Sequence, residues 1–270
     1  MQEMSDRREV SSGAARWPRR RVEVSAANPL AHLPRSEAVE RREPASVGLR
    51  EQALRAIRGR LVSGELGIGE LRRETDVRPV ASSRTPVREA LAILAAEGLI
   101  DLIPQRGFVV REVTADEVSE ILEMRTDFEA RAVERLATGA GTVANISETE
   151  RALEDMRNRA EAHDTMGFGV HEIDFHVGLA SAAGFGYAAH TLTRWLTRIR
   201  IYRIARPLDD FQMPAIIEEH QTILGAVATR DTRQARVAVL RHMRATRERL
   251  DLARDPRVEL ELAGTPQVRR

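Results

Sequence analysis

A chain of 270 residues is more than one average domain and less than three, so two domains are the default. Its net charge of only +1 gives no surface-wide attraction to nucleic acid, so any such contact must come from a local patch, and the absence of cysteine excludes disulfides, thiolate metal sites and cysteine nucleophiles. All 42 basic residues are arginine, and without lysine there is no Walker A phosphate loop, Schiff-base lysine or pyridoxal-phosphate site.

The hydrophobic fraction of 42% supports a sizeable core, and only 4% aromatics points to a helical interior packed with Leu, Ala and Val. No apolar stretch approaches the roughly 20 residues needed to cross a bilayer, and no signal-peptide pattern opens the chain. The sequence therefore reads as cytoplasmic, with no membrane partner. Residues 1–46 carry Pro18, Pro29, Pro34 and Pro44, scattered charges and no sustained periodicity, which predicts a disordered tail. Within it Arg19-Arg20-Arg21 is either a solvated run or a flexible arm for phosphates.

A first helix begins at Leu49, with Leu54, Ile57, Leu61 and Val62 spaced for one buried face, and ends at Ser63-Gly64. A second falls within Glu70–Val80, with Pro79 near its end. The third is capped by Ser83 or Thr85 and carries Pro86 in its first turn, where no hydrogen bond is lost. It buries Val87, Leu91, Leu94 and Ala95 at i, i+4, i+7 and i+8 and stops at Gly98. Strands at Leu99–Ile103 and Phe108–Val110 are joined by the turn Pro104-Gln105-Arg106-Gly107. Three helices and a hairpin over residues 47–112 make a winged helix-turn-helix whose third helix enters the major groove. Arg84 and Arg88, four apart, fall on the solvent side of that helix, near an amino end that favours anions. Their guanidiniums suit DNA phosphates and guanine edges. Arg106 on the wing reaches the neighbouring backbone or minor groove.

From Val113 the pattern stays helical. Thr114-Ala115-Asp116-Glu117 is a capping box that opens a helix to about Thr138, and Ser147-Glu148-Thr149-Glu150 is a second, opening a helix to about His163. Further helices span roughly Phe168–Ala183, Tyr187–Ala205, Phe211–Thr229 and Thr232–Leu252. Gly184 and Gly186, Pro207-Leu208-Asp209 and Arg230-Asp231 supply the breaks. Residues 113–254 thus form an antiparallel bundle of six to seven helices, and residues 255–270 read as a disordered tail. The fold class is mainly α.

Glu172 and His176 lie four apart on one bundle helix, with His220 and His242 on two later ones. Three histidines and a carboxylate on three helices suit a divalent ion such as Zn, Ni or Mn. The alternative is a set of surface or satisfied core histidines, which is how His32, His163, His171 and His190 read.

Leu49–Val110 resembles the GntR family of bacterial transcription regulators, through Ser83-Arg84-Thr85-Pro86-Val87-Arg88-Glu89-Ala90-Leu91, then Glu97-Gly98-Leu99-Ile100 and Arg106-Gly107. The bundle resembles the effector domain of the FadR-type branch, called FCD. Its marks are Glu123-Met124-Arg125 with Glu129, Phe175-His176, Glu219-His220 with Ile223-Leu224, then Asp231 and His242. The resemblance implies that Ser83, Arg84, Thr85, Arg88, Arg106 and Gly107 contact DNA. It implies that His176, His220 and His242 bind a metal together with a carboxylate one turn before the first histidine. That position is usually Asp and is Glu172 here; Asp174, two residues from His176, points elsewhere. It further implies that the metal helps hold the carboxylate of a small organic acid, with Arg125 and Arg198 as expected effector-binding residues. Both arginines also have an ion-pair reading, Arg125 with Glu129 at i+4. Two departures from the family pattern are the chain between Gly69 and Ser83, one residue short and carrying Pro79, and Phe185, where Asn is common.

The expected function is a DNA-binding transcriptional regulator, read as a repressor and not as an enzyme. It would act as a homodimer on a pseudo-palindromic double-stranded operator, with its reading helices about 34–36 Å apart. A small carboxylate would control its operator affinity. Two alternatives stay open. One is a metal-dependent hydrolase with an accessory winged helix, for which Glu219 is the only obvious extra acid. The other is a winged helix used as a protein-interaction module on a dimerising bundle.

Overall fold

The computed structural model describes residues 48–80, 84–140, 143–209 and 211–264. The tail expected at residues 1–46, its Arg19-Arg20-Arg21 run and Ser83 lie outside these residues. The head opens with α1 (Leu49–Val62), which buries Ala53, Ile57 and Leu61 at four-residue intervals; Leu54 is only partly covered by the same core. Gly64, at a φ of +74°, turns the chain out of the helix.

The α-helix expected within Glu70–Val80 is replaced by a two-residue strand, β1 (Leu71–Arg72), and a 3-10 helix at Glu74–Val80. Gly69 at φ +75° turns into the strand. Pro79 lacks an amide N–H and disfavours α geometry in the residue before it. Then α2 (Arg84–Ala96) buries Val87, Ala90, Leu91 and Leu94, with Thr85 as its second residue and not its cap. β2 (Ile100–Ile103) and β3 (Gly107–Val110) form the hairpin, and β1 adds to the other edge of β3, giving the order β1-β3-β2. Gly107 has a φ of +132°, and a Cβ there would lie 1.9 Å from the Arg72 carbonyl oxygen. Only glycine fits that crossing, so β1 fixes the base of the wing.

The bundle is α3 (Ala115–Ala137), α4 (Val143–Glu161), α5 (Thr165–Ala182), α6 (Gly186–Ile204), α7 (Gln212–Ala228) and α8 (Thr232–Arg249). A seventh helix, α9 (Pro256–Ala263), follows. Thr114 and Glu117 form the expected capping box. The box expected at Ser147 is absent, because α4 starts four residues earlier and Thr149 is buried against α5. There a Cβ on Gly178 would meet the Thr149 hydroxyl at 2.5 Å. Asp164 and Asp231 cap α5 and α8 by accepting from Gly167 N and Gln234 N.

Residues 255–270, expected to be a frayed tail, instead contribute α9 up to Ala263. Asp255 accepts from Arg257 N, Pro256 takes the first helical position and Val258 is buried. Arg236 of α8 ties this helix down, donating to Glu261 at 2.9 Å and to Glu134 of α3 at 3.3 Å. In the bundle α3 packs on α8, α4 on α5, α5 on α6 and α7 on α8, while α1 of the head rests on α5 and α6. Buried residues of head and bundle form one continuous apolar cluster. Among the described residues no helix is long and apolar enough to cross a membrane.

Candidate functional site

Because Val87, Leu91 and Leu94 turn one face of α2 into the head core, Arg84, Thr85 and Arg88 stand exposed on the other. An open groove between α2, the 3-10 segment and the wing is lined by Arg73, Arg84, Arg88, Arg106 and Gly107. The structure thus brings together all the described residues expected to meet DNA except Thr85, which lies beside them on α2. Arg88 has a partner already: its Nε donates to both carboxylate oxygens of Glu74, at 3.1 and 2.9 Å. This pair is largely exposed, with Arg88 64% accessible, so it contributes at most about 1 kcal/mol and costs little to exchange for a phosphate or base.

Inside the bundle, His176 of α5, His220 of α7 and His242 of α8 bring one ring nitrogen each to within 4.8 Å of the others. All three rings are fully buried, and His220 stacks on Phe175 at 4.1 Å. His176 Nδ1 donates to Glu129 Oε2 at 2.7 Å, and His242 Nδ1 donates to Glu219 Oε2 at 2.7 Å. Each contact selects the Nδ1–H tautomer and turns an Nε2 lone pair inward. The carboxylates are themselves anchored. Arg125 donates to Glu129 at 2.5 Å, and Arg249 grips both oxygens of Glu219 at 2.7 and 2.8 Å.

Four buried ring nitrogens remain without a hydrogen-bond partner: Nε2 of His176, Nε2 of His242 and both nitrogens of His220. Each such orphan costs about 1–3 kcal/mol. Burial, then the charge of Arg125, holds His176 down to about 4 against the opposing pull of Glu129. Burial also drives His220 well below the ordinary histidine range. Both rings are therefore neutral at neutral pH, the form that binds metals. Burial raises Glu129, but Arg125 and His176 outweigh it and bring it to about 2. At Glu219 burial is likewise outweighed, by hydrogen bonds from Arg249 and His242, again leaving about 2. Three inward-facing imidazoles with orphaned nitrogens, two of them backed by carboxylates, are a donor set that fits a divalent ion.

The other expected site residues divide. Glu172 sits one turn before His176 but outside the three-histidine cluster. Burial works to raise its carboxyl, and Arg203, His176, Arg125 and His242 together pull it below the usual range. Arg125 is buried beside the cage and keeps Nη2 unpartnered. Arg198, expected to bind effector, points elsewhere: its Nη2 donates to the carbonyls of Glu97 and Gly98 in the head. The leading charge that pulls Glu172 down is Arg203 of α6, which the sequence reading missed, along with Arg249 and the roles of Glu129 and Glu219 toward the histidines. Glu129 was legible as a family mark and as the i+4 partner of Arg125. No local spacing links it to His176, 47 residues away.

Residues 49–110 match the bacterial regulatory proteins of the gntR family, and residues 120–245 match the FCD domain. A gluconate operon transcriptional repressor of Bacillus licheniformis is 27% identical over 195 residues, covering 69% of this chain and 78% of that protein. A helix-turn-helix-type transcriptional regulator of Agrobacterium vitis is 30% identical over 141 residues, 51% of this chain and 82% of its own length. Among solved structures, McbR/YncC of E. coli superposes with a TM-score of 0.66 at 22% identity, over 76% of this chain and 98% of that one, a likeness of fold. A winged head with an arginine-lined groove, joined to a helical domain built around three buried histidines, thus coincides with both matched segments: the chain belongs to the gntR family of bacterial regulatory proteins and carries an FCD domain.

Proposed function

We propose that this transcriptional regulator binds a pseudo-palindromic operator as a homodimer and releases or grips it according to a small carboxylate held in the histidine cage. The observation that carries the reading is the set of four unpartnered histidine nitrogens beside the unpartnered Nη2 of Arg125. A divalent ion at His176, His220 and His242, with Glu172 turning in from outside the cluster as fourth ligand, would supply a Lewis-acidic centre for a carboxylate oxygen. Glu129 and Glu219 hold the Nδ1 protons so that Nε2 stays available. Arg125 Nη2 gives the acid a charge-assisted donor. The Bacillus licheniformis relative is a gluconate operon repressor, and gluconate is a small carboxylate, which supports this ligand class. The acid changes operator affinity only as far as it binds the two arrangements of the protein unequally.

On DNA, Arg84, Thr85 and Arg88, with Ser83 before them, take the major groove, while Arg106 and Gly107 bring the wing to the adjacent backbone. A hydrolase would need a free acid beside the histidines, and Glu219 is committed to His242 and Arg249. Gel shifts on promoter fragments upstream of the chain's own gene test the reading. Arg84→Ala or Arg88→Ala is expected to lose about 1–3 kcal/mol of affinity where the arginine reads a base. Unchanged affinity in both variants would refute the docking. No binding by the parent chain at low salt, where phosphate contacts are strongest, would favour a protein-interaction role for the winged helix.

A further inference from the structure

Two arginines of α6 leave the bundle and end on the backbone of the head. Arg198 Nη2 donates to the carbonyls of Glu97, at 2.8 Å, and Gly98, at 3.3 Å, just past the carboxyl end of α2. Arg200 Nε donates at 3.1 Å to the carbonyl of Val62, the last residue of α1, and its Nη2 donates at 3.2 Å to Thr165 at the start of α5. Helix carboxyl ends carry unpaired carbonyls and partial negative charge, so each guanidinium is a charge-assisted cap laid across the domain boundary. Both are seated against glycine. A Cβ on Gly98 would lie 2.5 Å from Arg198 Nη2, and one on Gly169 would lie 2.6 Å from Arg200 Nε. Within the head, Arg58 of α1 pairs with Glu97 at 2.8 Å, so the two capped ends are themselves joined. Three residues beyond Arg200, Arg203 is buried and close enough to Glu172 for their charges to interact.

We infer that Arg198 and Arg200 are positioning residues for operator binding: they clamp the carboxyl ends of α2 and α1 to α6, fix the orientation of the DNA-binding head, and carry any displacement of α6 at the cage to the helix that reads DNA. This inference rests on the regulator reading above but concerns the clamp, which can be measured without DNA. The chain has no cysteine. Spin labels on Glu89→Cys in the head and Glu154→Cys in the bundle, both at exposed positions, therefore report the distance between the two domains. The full-length labelled chain, diluted with unlabelled chain, is expected to give one narrow distance distribution. The Arg198→Gln/Arg200→Gln double variant should broaden it, and Arg198→Lys/Arg200→Lys, which keeps the charge but not the planar fork, should recover part of the order. An equally narrow distribution in the glutamine variant overturns the clamp, whether or not the chain binds DNA.

The second readout uses unlabelled chains and operators selected from random DNA. The parent chain should prefer its selected half-site spacing over one lengthened by two base pairs by about tenfold, the equivalent of one charge-assisted hydrogen bond. The glutamine variant should reduce that preference to within about twofold while single half-sites bind as before. A preference kept at the parental level in the variant overturns the positioning role. If the double variant does not fold, Arg198→Gln alone is carried through both measurements, with the same outcomes decisive.

Discussion

Replacing His220 with leucine should separate two opposed effects of one side chain. In metal-free protein the ring is a liability, because both nitrogens are buried without partners, each costing about 1–3 kcal/mol. At pH 7.5 the penalty is that of a neutral ring, since burial keeps His220 well below its ordinary titration range. Leucine removes both polar atoms and keeps an apolar body against Phe175. Imperfect packing gives back up to about 1.5 kcal/mol. The net gain is then about 0.5–6 kcal/mol, or roughly 1–24 °C in melting temperature for a chain of this size.

With metal the order should reverse. An ion at about 100,000 times its dissociation constant stabilises the parent chain by about 6.8 kcal/mol, more than the largest gain, and the leucine variant should forfeit that. Scanning calorimetry in chelator, then in excess Zn, Ni or Mn, should show the His220→Leu variant melting higher in the first condition and the parent chain higher in the second. If the variant melts lower in chelator and none of the ions raises the parent chain, the orphaned nitrogens are not a ligand set and the reasoning fails.

Glu129→Gln should weaken metal binding by about 10–100-fold in titration calorimetry, because an amide holds the His176 Nδ1 proton less strongly; equal affinity would remove Glu129 from that role. In chelator, stability should be fullest above pH 6.5 and decline as pH falls towards 4. His176 is held at about 4 in the fold, while the unfolded chain protonates near 6.5. That single group accounts for about 3 kcal/mol, and a urea midpoint unchanged between pH 7 and 4.5 would contradict it. Gly178→Ala should cost about 1–3 kcal/mol by forcing α5 off Thr149, and much less in a Thr149→Ala background. Additive losses in that double-mutant cycle would show the two sites to be independent.

Where periodicity and caps were strong, the elements follow from the residues. Val87, Leu91 and Leu94 set the orientation of α2, and Thr114 with Glu117 marks the start of α3. The strand β1 was not legible, because two residues carry no period; its signal is Gly107, whose missing Cβ admits the Arg72 carbonyl. The histidines could be chosen by motif, and the structure brings all three together. The arginines could not. α6 buries Leu192, Leu196, Ile199, Ile201 and Tyr202 around most of its circumference, so no polar face told which of Arg198, Arg200 and Arg203 looks toward the cage. Ser147 failed as a cap for a similar reason: the local pattern was sound, but a tertiary contact at Thr149 lay outside its reach.

Helix α5 carries Glu172 and His176, yet its sequence includes Gly167, Gly169 and Gly178. Interior glycines each disfavour a helix by about 1 kcal/mol relative to alanine. Cut out as a peptide, this segment would be largely random coil; its shape is borrowed from Thr149 on one side and Arg200 on the other. The helix that carries Glu172 and His176 therefore leans on its neighbours, so loosening those two contacts should be felt along it, as faster amide exchange at residues 165–182.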